Sequence, residues 1–258
     1  MENEYFGLKR DDETMDYLFH GILKILQKKK GYRFSVDSVL LAHFVTLKKD
    51  SHVVELGTGS GIISMILALR FPEVTISNVE IQKDLADMAG RNMELNGLED
   101  RIKIFQGDVK KVEQLFDHQS FDVAVFNPPY RRLNSGKINP DTERAVARHE
   151  ISGTIDDFLH SAKYLLKDLG YVYIIYPAAR GVNLIARMRK NGMEPKRLRI
   201  VYSNRASGAA FILTEGVKNA GEELEILPPL FIYGSDGRYS EEMDNILDGV
   251  SFSRSSCV

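Results

Sequence analysis

Apolar and polar positions alternate with two different periods along this chain, and the switches between them mark out its elements. Short apolar runs bounded by turn residues read as strands at His52 to Leu56, Val74 to Val79, Ile102 to Phe105, Phe121 to Phe126 and Tyr171 to Tyr176. Between them, apolar residues recur at helical spacing from Ile62 to Phe71 and from Lys83 to Leu95, the second run closed by Asn96-Gly97. Thr154 is placed to cap a helix over Ile155 to Leu166, and another helix begins at Pro177. Strands alternating with helices call for a parallel sheet covered by helices. Leu198 to Tyr202 and Ala209 to Leu213 are joined by only Ser-Asn-Arg-Ala-Ser-Gly, too short for a crossover helix, so this pair is expected to run antiparallel. Upstream, Ile22 to Gln27 and Tyr32 to Phe34, separated by Lys28 to Gly31, predict a hairpin. The expected architecture is α/β: a mostly parallel central sheet with an antiparallel last strand, helices on both faces and an N-terminal hairpin. Residues 1–44 form a hairpin and helix extension, 45–215 the core and 216–258 a C-terminal extension.

A chain of 258 residues can bury a full core and suits one α/β domain with a modest extension. The net charge of −2 carries no global nucleic-acid signature. The charge is uneven, however. Arg180, Arg187, Arg189, Lys190, Lys196, Arg197, Arg199 and Arg205 are opposed only by Glu194 in their stretch, and Lys24, Lys28, Lys29, Lys30 and Arg33 form a second basic cluster. Both flank the core and are candidate phosphate contacts, while the tail beyond Glu215 is acid-rich. Cys257 is the single cysteine, which excludes an intrachain disulfide and a cysteine-rich zinc site and suits a reducing cytoplasm. No apolar stretch approaches the roughly 20 residues that span a bilayer. A cytoplasmic monomer without a membrane segment is expected.

Two motifs carry the chemistry. Glu55-Leu-Gly-Thr-Gly-Ser-Gly61 lies between a strand and a helix, where absent side chains let a backbone approach a ligand. A dinucleotide site would want glycine at the next position, which is Ile62. Asn127-Pro-Pro-Tyr130 follows the strand Phe121 to Phe126. There the Asn127 carbonyl oxygen and the Pro128 carbonyl can both accept protons from one NH2 group, Pro129 helps fix the turn, and the Tyr130 ring can stack on the attached π system. Such a site suits an exocyclic base nitrogen or a glutamine amide. Glu80, ending the next strand, is placed to accept two ribose hydroxyls. Asp108 can accept from an adenine amino group, cap the turn beginning at Val109, or both. His149-Glu150 begins like a zinc His-Glu-x-x-His motif, but the second histidine position is Gly153, so no metal is expected.

The glycine turn resembles that of class I S-adenosylmethionine-dependent methyltransferases, a Rossmann-like fold. The segment Gly21 to Phe44, the turn Asn127 to Tyr130, Ala147-Arg-His-Glu150 and Pro195-Lys-Arg-Leu-Arg199 resemble the bacterial valine-tRNA adenine-37 N6-methyltransferase family. That resemblance implies S-adenosyl-L-methionine as methyl donor and adenine N6 beside a tRNA anticodon as acceptor. It implies cofactor contacts from Glu55, Gly57, Gly59 and Gly61, from Glu80 with Ile81, from Asp108 with Val109, and from Asn127. Tyr32, Phe34, Ser35 and Asp37 would pack beside the methionine end, although Asp37 also suits a helix cap. His149, with Arg144 and Arg148, either lines the substrate mouth or is a packed or solvated histidine, while Arg131, Arg132 and Lys137, directly after the turn, and Lys196, Arg197 and Arg199 are candidates to hold phosphates. Three other readings stay open: methylation of a release-factor glutamine, of adenine in another RNA or DNA, and a catalytically silent RNA-binding module.

Overall fold

The computed structural model describes residues 7–31, 33–129 and 153–249. The central strands are β3 (His52–Leu56), β4 (Thr75–Glu80), β5 (Ile102–Gln106), β6 (Phe121–Phe126), β7 (Leu166–Pro177), β8 (Met193–Tyr202) and β9 (Ala209–Lys218). They lie in the order β8-β9-β7-β6-β3-β4-β5, with the two-residue strands β10 (Glu225–Ile226) and β11 (Leu230–Phe231) against β8. All ladders from β5 to β7 are parallel, and β9 runs antiparallel to both β7 and β8. Chain order reverses between β3 and β6. A crevice therefore opens at the carboxyl ends of those two strands, where open α/β sheets take their ligands.

Alternate side chains of the central strands enter opposite cores. Val53, Val123, Val125 and Tyr173 face one core with α1 (Val36–Phe44) and α2 (Ile62–Arg70), which α6 (Glu241–Leu247) joins through Met243. Val54, Leu56, Ala124 and Phe126 face the other, with α4 (Ile155–Leu165) and α5 (Gly181–Lys190). Thr154 caps α4 reciprocally with Asp157, as its Thr-x-x-Asp spacing permits. The helix expected from Pro177 opens with a 3-10 turn, Ala178–Arg180, before α5 begins. Among the described residues, no helix is long and apolar enough to cross a membrane.

The N-terminal hairpin exists, but its strands differ from those expected. β2 (Leu23–Lys28) pairs antiparallel with β1 (Glu13–Leu18), with Leu18 opposite Leu23. The chain reverses at Phe19, His20 and Gly21, all at positive φ (53°, 55° and 88°), and not at Lys28 to Gly31. Residues 33–35 form no strand, and Tyr32 lies outside the described residues. A polar, acid-rich β1 hides its role from hydrophobic periodicity. Acids in and just before it pair with two of the five basic residues: Asp12 and Glu13 with Lys28, and Asp16 with Arg33.

α3 (Lys83–Leu95) seats this hairpin with two asparagines acting as a surrogate strand. Asn96 Oδ1 accepts from Lys24 N (2.9 Å) while its Nδ2 donates to Lys24 O (2.7 Å). Asn92 repeats the exchange with Leu26, accepting at 2.7 Å and donating at 3.2 Å. Nearby, Arg91 forks onto fully buried Glu13 with two 2.7 Å contacts. β2 thus satisfies backbone groups on an edge that would otherwise be costly to bury.

Candidate active site

The glycine turn joins the end of β3 to α2. Gly57, Gly59 and Gly61 hold φ of 72°, 59° and 85°. Positive φ excludes most other residues here, and packing reinforces this: a Cβ at Gly57 would lie 3.2 Å from the Phe158 ring and one at Gly61 2.4 Å from Met93. The turn is stitched to its neighbours. Gly57 N and Thr58 N donate to Val79 O at the end of β4, and Asn92 Nδ2 donates to Ser60 O at 2.9 Å. One asparagine therefore couples the N-terminal hairpin to the glycine turn.

Glu55 is buried beneath the turn and finds its partners inside the fold. Its Oε2 accepts from Ser64 N at 3.0 Å and contacts Ser64 Oγ. Ser64 Oγ also lies 2.7 Å from Asn78 Oδ1, and Asn78 Nδ2 donates to Thr58 Oγ1 at 3.0 Å. Ser64 has one hydroxyl proton for two acceptor oxygens, and a proton on Glu55 satisfies both contacts. Burial pushes the Glu55 carboxyl up to about 7, against hydrogen bonds from Ser64 and Thr58 that favour ionisation. For an acid with a raised folded pKa, its contribution to stability is fully present below the unfolded value near 4.5. It is lost as pH rises through about 7. Glu55→Gln should therefore raise the ligand-free melting temperature at pH 8, recovering about 3 kcal/mol at most, and change little at pH 5. Melting curves at the two pH values check this.

Glu80 ends β4 at the rim of the same turn. Its Oε2 accepts from Gly59 N and its Oε1 from Gln82 N, both at 2.9 Å. Burial raises its pKa, partly offset by these backbone donors. The Ile81 N–H and the Gln82 side chain also donate to this carboxylate, so incoming hydroxyls would share its oxygens with donors of the protein. Ile81 follows directly. Asp108 caps the short 3-10 turn Val109–Gln114, accepting from Lys110 N at 2.9 Å. Val109 is buried, and its carbonyl receives the Ser161 hydroxyl of α4.

Asn127 follows β6 across the crevice from the glycine turn. Its Nδ2 donates to Ser38 Oγ at 3.2 Å, in the first turn of α1. Ser38 N in turn donates to Asp37 Oδ1 at 2.8 Å, and Ser35 Oγ donates to the same oxygen. Phe34 N donates to Gln27 Oε1 in β2 at 3.0 Å. Phe34, Ser35 and Asp37 thus lie in the segment that leads to Ser38, the partner of Asn127, and Asp37 stands in the first turn of the helix. Ser38, Gln27, Asn92, Ser64 and Asn78 were not singled out from the sequence, because no motif marks a polar side chain that acts through another. Pro128 is buried and Pro129 half-buried. Tyr130, Arg131, Arg132, Lys137, Arg148 and His149 lie outside the described residues, as does Tyr32.

The basic residues of β8 are not presented as expected. Arg197 pairs with Glu215 at 2.8 Å, stacks over Phe44 and donates to Thr46 Oγ1. It meets α1 beyond the last turn of that helix, whereas Asn127 meets the first turn, about 10 Å away along the axis. Arg199 forks onto Glu242 at 2.7 and 2.8 Å, and Lys196 donates to Glu222 O at 2.8 Å. The acid-rich C-terminal segment therefore folds back onto the basic strand. Sequence alone cannot separate a run of free cations from one whose partners come 18 to 43 residues later.

The sequence and the fold both have relatives among known proteins. A family model described as the methyltransferase small domain covers residues 33–190. The tRNA1(Val) (adenine(37)-N6)-methyltransferase of Erwinia tasmaniensis is 30% identical over 217 residues, 84% of this chain and 86% of that protein. The chain belongs to this methyltransferase family. A protein of the same description from Tolumonas auensis is 28% identical over 225 residues, 86% of this chain and 91% of that one. In fold, the chain superposes on a predicted O-methyltransferase from Agrobacterium tumefaciens with a TM-score of 0.69 at 20% identity, covering 83% of this chain and 96% of that one.

The residues of the site fit S-adenosylmethionine as a methyl donor. A turn with glycine at three alternate positions admits an amino acid and ribose, and a buried carboxylate stands at its rim. Glu80→Ala should weaken S-adenosylmethionine binding by about 1.5–3 kcal/mol for each charged hydrogen bond lost. Calorimetry with the cofactor, using NAD as a control that should not bind, checks this.

Proposed function

We propose that this chain methylates N6 of the adenine beside the anticodon of valine tRNA, at position 37, in the cytoplasm. The observation that carries this reading is the position of Asn127: it stands at the carboxyl end of β6, across the chain-order switch point from the glycine turn, with its amide nitrogen engaged by Ser38. With Nδ2 donating to Ser38, the carbonyl Oδ1 is the end suited to receive an amino group. The bound cofactor supplies an electrophilic methyl group. Asn127 Oδ1 and the Pro128 carbonyl accept the two N6 protons, and Tyr130 stacks on the base.

These contacts favour the reaction by position. The N6 lone pair of adenine is delocalised into its ring, and acceptors that hold both protons draw the nitrogen toward a more tetrahedral geometry. Alignment against the methyl group supplies much of the remaining acceleration. The nitrogen sheds a proton readily once it becomes cationic, so no strong base is required. An adenine in structured RNA must be unstacked to enter such a pocket.

We assign the chemistry to the core of residues 45–215. RNA phosphates are assigned to Arg131, Arg132, Lys137 and Arg148, which flank Asn127 in sequence; the paired residues of β8 are better suited to holding the C-terminal segment. Incubating the purified chain with S-adenosylmethionine and unmodified valine tRNA, followed by nucleoside analysis, tests the reading.

A further inference from the structure

The C-terminal segment also builds an aromatic cluster that methyl transfer itself does not use. Tyr233 and Tyr239 pair across a tight turn, with ring centroids 5.3 Å apart and planes within 10° of parallel. The two rings remain 39% and 43% exposed. Close by in the chain, Tyr202 stacks on Phe231 at 5.5 Å, and the Arg205 guanidinium lies 5.0 Å over the Phe231 ring. Ile232 N donates to Tyr202 O and Tyr233 N to Ser203 O, at 2.9 and 2.8 Å, which fixes the cluster to the end of β8.

Its location matters. β8 is antiparallel to β9, as β7 is, so β8 runs parallel to β7 and β6. The end of β8 therefore projects from the same carboxyl edge of the sheet as Asn127. Three strand spacings separate β6 from β8, and β8 continues several residues past the level of Phe126, so the cluster stands roughly 15–20 Å from Asn127. That distance is within the reach of an RNA loop whose target base occupies the crevice.

We propose that the Tyr233–Tyr239 pair is a stacking platform for a second, unstacked base of the RNA substrate. This rests on the reading of the chain as an RNA methyltransferase. Parallel rings offer an outer π face on which a base continues the stack, and any base can use it. Arg205 adds positive charge beside the platform where the phosphate backbone passes. Two half-exposed tyrosines at a turn stand outside the hydrophobic clusters that form the core.

The chain has no tryptophan, so Tyr239→Trp introduces a single indole at the platform. Its emission should be quenched on titration with valine tRNA and unaffected by S-adenosylmethionine alone. The double variant Y233A/Y239A should lose about 10- to 100-fold in tRNA affinity while keeping cofactor affinity, and Y233F/Y239F should retain tRNA binding because the rings suffice. Wild-type tRNA affinity in Y233A/Y239A, with an indole that does not respond to tRNA, overturns the platform while leaving the functional reading intact. A wild-type chain that neither binds nor methylates any RNA overturns the functional reading, and the platform with it.

Discussion

Asn127→Ala lowers the rate of methyl transfer to tRNA by on the order of 10²–10³-fold while leaving the affinity for S-adenosylmethionine nearly unchanged. The scale is that of removing one preorganised polar group from a reacting centre. The selectivity follows from geometry: Asn127 reaches across the crevice to Ser38, while the glycine turn and Glu80 form the opposite wall. Ser38→Ala gives a smaller loss by freeing the Asn127 amide to rotate, and because the rotated amide offers NH2 to the substrate, kcat falls more than KM rises. Single-turnover kinetics alongside calorimetry separates the two effects. Full activity in Asn127→Ala on every RNA would show that this carbonyl does not hold the acceptor.

Arg91→Ala destabilises the fold by about 3–5 kcal/mol, because it strands a buried carboxylate. Glu13 is fully buried and takes both arms of the Arg91 guanidinium. Burial pushes the Glu13 carboxyl up, but Arg91, the Arg10 N–H and Lys28 together outweigh burial and hold it at about 2. An acid with a lowered folded pKa contributes stability that is fully present above its unfolded value near 4.5 and lost as pH falls toward about 2. In Arg91→Ala that acid-side loss should begin at higher pH. The effect should spread to the site, since the hairpin that this pair anchors also meets Asn92, which reaches the glycine turn, and through its own Gln27 holds Phe34 in the segment leading to Ser38. Urea titrations between pH 3 and 7, with cofactor binding measured at pH 7, check both consequences.

Much of the fold was legible because its signals are local. β3, α3 and β6 coincide with their expected bounds, since each is an apolar run or helical repeat closed by turn residues. Thr154 caps α4 for the same reason. The hairpin partner was misassigned because Glu13–Leu18 is a polar strand whose stability comes from ion pairs and from α3. In the site, Glu80, Asp37 and Asn127 stand where the motifs put them. Glu55 belongs to the motif, yet its contacts run to Ser64, which no spacing rule reveals. Lys196, Arg197 and Arg199 looked like free cations because the groups they meet, the Glu222 backbone carbonyl and the Glu215 and Glu242 carboxylates, are distant in sequence. Charge counting sees composition, and only folding shows which charges are already satisfied.

The most direct test is nucleoside mass spectrometry of unmodified valine tRNA after incubation with the purified chain and S-adenosylmethionine, mapped to position. N6-methyladenosine should form at position 37, and Asn127→Ala should abolish nearly all of it. An unmodified tRNA, with methyl groups appearing instead on a glutamine of a translation release factor, would overturn the assignment.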